Sequence, residues 1–137
     1  MESRSSPEDK RLERLYEYTK WHIGIYLSMG AGIVTLVGTG EKLELLRDAI
    51  GDPALVLAAF AFMIVAGIAG GTVVSTCTQC RNFEEVWYEK HAPLDMEWLA
   101  LTGKSWAQLE HLSFWISLGF LAAAVIDVAS RFQLDPR

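Results

Sequence analysis

ALVLAAFAFMIVAGIAGG, residues 54–71, decides how this chain is read. It holds no strongly polar side chain. The apolar run continues to Thr76, so 54–76 supplies 23 residues, or about 34 Å of helix. A bilayer's hydrocarbon core is roughly 30 Å thick and takes about 20 apolar residues to cross. In lipid the backbone finds no outside partner for its N–H and C=O groups, so such a block forms a helix. Barrel strands would alternate with period two, and this block does not. Its glycines are common in membrane spans.

Two further blocks flank it. Residues 21–39 carry no Asp, Glu, Lys or Arg, and their polar members are His22, Ser28, Thr35 and Thr39. Residues 112–130 stay uncharged until Asp127. The expected fold is an all-α integral membrane protein with three transmembrane helices, a helical N-terminal extension and an interfacial helical loop. The expected segments are a tail at 1–20, spans at 21–39, 54–76 and 112–130, an outer loop at 40–53, an inner loop at 77–111 and an outer tail at 131–137. The hydrophilic first 20 residues, with no small-residue cleavage site after the first block, point to an uncleaved anchor rather than a signal peptide.

The bulk figures alone would suit a soluble domain: 51% hydrophobic, 21% charged and a formal net charge of −5. The clustering of the apolar residues excludes disorder, which needs low hydrophobicity. The mild acidity argues against nucleic acid as a partner. Lys and Arg in short loops mark the cytoplasmic side. The 1–20 tail and the 77–111 loop together hold eight, against four on the other side. This places the N-terminus in the cytoplasm and the protein in the plasma membrane. Tyr16, Tyr18, Trp21, Tyr26, Trp87, Tyr88, Trp98, Trp106 and Trp115 fall on or just inside that same face, where such rings settle at headgroup level.

Local signals fill in the connections. Ser6-Pro7-Glu8-Asp9 opens a helix, with Ser as N-cap and Pro at the first position. Nothing breaks it before Val37, and Leu12, Leu15, Tyr16 and Thr19 share one side, to pack on the 77–111 loop or dock a partner helix. EKLELLRDAI, closed by Gly51 and Pro53, predicts a short amphipathic helix at the outer interface. In the inner loop, 82–90 and 94–101 predict two short helices, separated at Pro93. Ser105 and Gln108 resemble a capping box at the start of the last helix.

Small residues recur at spacing four. Gly24, Ser28 and Gly32 line one face of the first span, Gly67 and Gly71 line the second with Ala66 and Gly70 alongside, and Ser113 and Ser117 open the third. In lipid the hydrophobic effect does not pull helices together, so close backbone approach through small residues matters more. The seams serve packing within the chain or between copies of it. Cys77-Thr-Gln-Cys80 is the one cysteine pair, and His91 and His111 lie on the same side. Zinc takes Cys and His in tetrahedral sets, so these four are the candidate metal ligands, with ordinary interfacial side chains and a thiol-redox pair as the other readings. His22 lies on that side too. Asp127 is a carboxylate inside an apolar run, costly there unless paired or used; Arg131 stands at ion-pair spacing. Gly103-Lys104-Ser105 lacks the upstream glycine of a phosphate-binding loop.

No Ser/His/Asp order, carboxylate dyad or dinucleotide fingerprint appears, although Glu84, Glu85, Glu97 and Glu110 lie near His91 and His111 in sequence. The chain reads as a small multi-pass membrane protein with a non-enzymatic accessory, scaffold or self-associating role, one version being a pore-forming oligomer. The alternative is a membrane metal-binding or thiol-redox protein built on Cys77 and Cys80. The expected partners are the bilayer, further copies, and a membrane or cytoplasmic protein. No cofactor other than zinc is implied.

Overall fold

The computed structural model describes residues 7–38, 52–93 and 96–134. The amphipathic helix expected in the first loop and the Ser6 cap lie outside these residues. Three long helices dominate: α1 (Pro7–Gly38), α2 (Pro53–Gln79) and α4 (Gly103–Leu134). Between α2 and α4 come a short helix, α3 (Phe83–Tyr88), a single 3-10 turn at Glu97–Leu99, and two strands, β1 (Lys90–His91) and β2 (Leu101–Thr102).

The helices run up, down and up. Ile23 of α1 meets Gly70 of α2, and Gly30 meets Phe60 and Met63. The Ser117 hydroxyl of α4 donates to the Ala59 carbonyl of α2 at 2.8 Å, while Glu110 lies beside Gly70. Helix α2 is therefore the middle element, and small side chains let its neighbours come close. Ala59, Ala66, Ala69 and Gly70 are all buried. One core cluster joins Ala69, Val73, Cys77, Val86 and Trp106; a second joins Tyr26, Met63 and Ala66. Leu12, Leu15 and Tyr16 pack on the first, so the α1 stripe does rest on the loop after α2.

Helices α2 and α4 are both long and apolar enough to cross a membrane. Only 28% of the most apolar window of α2, and 17% of that of α4, is buried by the rest of the chain. A core helix of a water-soluble protein hides its apolar surface; these helices leave Leu57, Ile64, Ile68, Leu112, Trp115, Val125 and Ile126 exposed. That is compatible with a membrane location.

The connection between α2 and α4 is more ordered, and less helical, than the sequence predicts. Helix α3 is capped by Asn82, whose side chain accepts from the Glu85 N–H at 2.9 Å, and the Glu85 carboxylate accepts from the Arg81 N–H. In place of a second helix at 94–101, the described residues form the 3-10 turn and β2, which pairs antiparallel with β1. The Trp106 indole N–H donates to the His91 carbonyl at 2.9 Å and pins β1 down. Helix α4 starts at Gly103, and its cap is Thr102, whose hydroxyl accepts from the Ser105 N–H. The expected box at Ser105 and Gln108 is displaced because the strand pairing fixes Thr102 one turn earlier. Gly103 is required by contact: a Cβ there would lie 2.0 Å from the Val86 carbonyl oxygen.

Candidate functional site

Tyr18, His22 and Tyr26 repeat at spacing four on α1, which sets them one above another on a single helix face. Glu110 and His111 are neighbours on α4. The up-down-up arrangement brings the two sets together beside Gly70. Glu110 is 1% exposed, and a Cβ on Gly70 would stand 3.4 Å from its carboxyl carbon. The bare backbone of α2 at Gly70 is what leaves room for this carboxyl group.

A carboxyl group buried this deeply is costly unless partnered. Here the Tyr26 hydroxyl donates to Glu110 Oε1 at 2.9 Å. His22 Nδ1 lies 3.5 Å from the same oxygen, buried and with no hydrogen-bond partner among the described residues. On the other side His111 Nδ1 is 4.0 Å from Oε2. His111 also bridges outward. Its Nδ1 faces the Ala107 carbonyl at 3.1 Å, and its Nε2 faces the Tyr18 hydroxyl at 2.8 Å. These partners fix the neutral tautomer: Nδ1–H donates to Ala107, and Tyr18 donates to Nε2. The rings pack as well. His22 stands edge-on to Tyr18 and to His111, with centroids at 4.1 and 5.4 Å, and Phe114 closes the side next to Tyr26.

The cluster grades from outside to inside. Tyr18 and the His111 side chain are about half exposed, His22 is buried, and Glu110 is enclosed. Among the described residues, every hydrogen bond between α1 and α4 is made here. Chemically it is a run of proton donors and acceptors ending at a buried acid.

Of the four candidate metal ligands, only His111 joins this cluster. Cys77 is buried against Val73, Val86 and Trp106, and Cys80 closes the end of α2. Both are free thiols. Burial, and then the carboxylates of Glu85 and Glu89, push the Cys80 thiol above the ordinary range. The His91 ring meets the Glu85 carbonyl at 3.2 Å, whereas His111 turns toward α1. Among the described residues no group of three or more His, Cys, Asp or Glu side chains is arranged to hold a metal ion. Asp127 accepts from the Arg131 guanidinium at 2.7 Å and from the Asp52 N–H at 3.1 Å, tying α4 to the start of α2. A Cβ on Gly24, Gly32, Gly67 or Gly71 would meet nothing within 4 Å. Among the described residues, packing therefore does not use those glycines; the buried Ala59, Ala66, Ala69 and Gly70 do that work.

From sequence, His22 entered only as a further histidine beside the candidate metal ligands, Glu110 only as a carboxylate near His91 and His111, and Tyr18 and Tyr26 only as interfacial aromatics. The signal was present in the Tyr-His-Tyr repeat at spacing four, a polar stripe entering an apolar block. Its partner was hidden because Glu110 precedes the uncharged run of the last helix. No protein-family model, curated protein or solved structure matches the chain.

Proposed function

We propose that this protein is a three-span subunit of the plasma membrane, with its N-terminus in the cytoplasm and a non-enzymatic role, that associates with copies of itself through the small-residue faces of α1 and α2. The observation that carries this reading is the open space at Gly24, Gly32, Gly67 and Gly71. These positions allow a neighbouring helix to approach closely, and the described helices leave them open. Close contact of that kind is a main source of helix association in lipid.

The third span is supported by depth. Residues 23–30 of α1 lie against residues 60–70 of α2, so α1 shares whatever medium surrounds the middle of α2. Orientation is supported by the excess of Lys and Arg on one side. Exposed Tyr18, Trp21, Tyr88 and Trp98 lie on that side too, as an aromatic belt would.

Cross-linking in native membranes tests the association. Gly67→Leu and Gly71→Leu are expected to weaken or abolish the cross-linked species while leaving the monomer folded, since both side chains point into open space. An unaltered cross-linking pattern sinks the reading. Single-cysteine labelling with an impermeant reagent tests the topology: residue 5 is expected to react only after permeabilisation, and residue 136 without it.

A further inference from the structure

We propose that His22 and Glu110 form a proton-binding site inside the bundle, holding one exchangeable proton between them, with Tyr18 and His111 as its outer end. The inference stands on the geometry of one chain and is independent of how copies associate.

The His22 Nδ1 atom carries the argument. It is buried, has no hydrogen-bond partner among the described residues, and faces Glu110 Oε1 at 3.5 Å. A hydrogen bond forms at about 3.2 Å or less, so a small ring movement completes the contact. Oε1 already accepts from Tyr26, so it offers a lone pair to an N–H on Nδ1. With one proton between them the pair has two forms, imidazolium with carboxylate and imidazole with carboxylic acid. Both have zero net charge. Adding a second proton, or removing the only one, leaves a single uncompensated charge in a weakly polarisable interior, which is the costly state. Passing from one form to the other breaks the N–H bond at Nδ1 and forms an O–H bond at Oε1; no electrons are exchanged.

The other titratable groups around the pair are few. Helix α1 supplies Tyr18 and Tyr26, and α4 supplies His111. Helix α2 meets the carboxyl with the Gly70 backbone, and its one titratable side chain, Cys77, belongs to the other core cluster. Exchange with water runs through His111. A proton arriving on its Nε2 reverses the bond to Tyr18, whose oxygen becomes the acceptor, and the imidazolium then stands 4.0 Å from Glu110 Oε2.

The test uses the full-length protein in detergent micelles. Carboxyl infrared absorption and the nitrogen resonances of labelled histidine are followed through a pH titration. One carboxyl and the His22 ring are expected to respond in the same transitions, as coupled groups do. Glu110→Gln removes the carboxyl signal and displaces the His22 midpoint by about one pH unit, tenfold in proton concentration. His22→Gln displaces the carboxyl midpoint by a similar amount, and Glu84→Gln on the exposed side of α3 moves neither. Tyr26→Phe keeps both titrating groups and the ring packing, so it reports even where Glu110→Gln does not fold. It too must displace the shared transition. Unmoved His22 resonances in Glu110→Gln, or an unmoved transition in Tyr26→Phe, overturn the proposal. So does stoichiometric retention of Zn²⁺ that Glu110→Gln abolishes, which would make the ligand a metal ion.

Discussion

Among the glycines whose surroundings are described, Gly103 should be the one where replacement by alanine does most damage. The new Cβ would stand 2.0 Å from the Val86 carbonyl oxygen and 3.0 Å from its carbonyl carbon. An ordinary carbon–oxygen contact is about 3.3 Å or longer, so α3 and the start of α4 must separate by more than about 1 Å. Overpacking against a side chain that can rotate typically costs about 1–3 kcal/mol. Here the obstacle is backbone, and Val86 is itself fully buried, so the upper end applies: about 3 kcal/mol, roughly a hundredfold in the local equilibrium. Amide hydrogen exchange across 82–106 is the assay, with faster exchange expected at α3, β1 and the first turn of α4. Gly119→Ala, outside the proposed seams, is the control. It meets nothing within 4 Å and should be neutral or stabilising by roughly 0.5–1 kcal/mol. Unchanged exchange in Gly103→Ala would show that the contact with Val86 is not made.

Three other outcomes are expected. Ser117→Ala removes the buried bond to the Ala59 carbonyl and should lower resistance to denaturing detergent by about 0.6 kcal/mol, the usual value between helices in lipid; a loss several times larger would mean that Ser117 does more than bridge α2 and α4. Asp127→Asn weakens the links to Arg131 and the Asp52 N–H and should speed exchange in the first turn of α2, leaving the Gly103 region untouched. Cys80 is held above the usual thiol range by burial and by Glu85 and Glu89, so less of it is thiolate at neutral pH. Its alkylation should be slow there, accelerate as pH rises, and quicken at fixed pH in Glu89→Gln. A rate as fast as a free thiol's would contradict the geometry.

The long helices were legible because length and unbroken apolar character are local properties. Residues 54–71 read the same whatever surrounds them. Their lateral arrangement was not local. Gly67 and Gly71 fit a packing pattern as well as Gly70 does, yet only Gly70 lies against Glu110; which face of α2 turns inward is set by partners distant in sequence. The inner loop misled for a related reason. Residues 94–101 have helical spacing, but among the described residues the 3-10 turn at Glu97–Leu99 and the pairing of β1 with β2 at Leu101 take up the backbone bonds instead. The cluster was the least legible part, since Tyr26 and Glu110 are 84 positions apart and neither carries a motif.

The order of the helices also decides when that cluster can exist. Synthesis delivers α1 before α2 and α2 before α4, and the acid belongs to the third of these long helices. A chain cut short before residue 110 keeps the His22 imidazole but lacks the carboxyl group that faces it. The contact between α1 and α4 therefore forms only once residues 84 positions apart, Tyr26 and Glu110, are both in place.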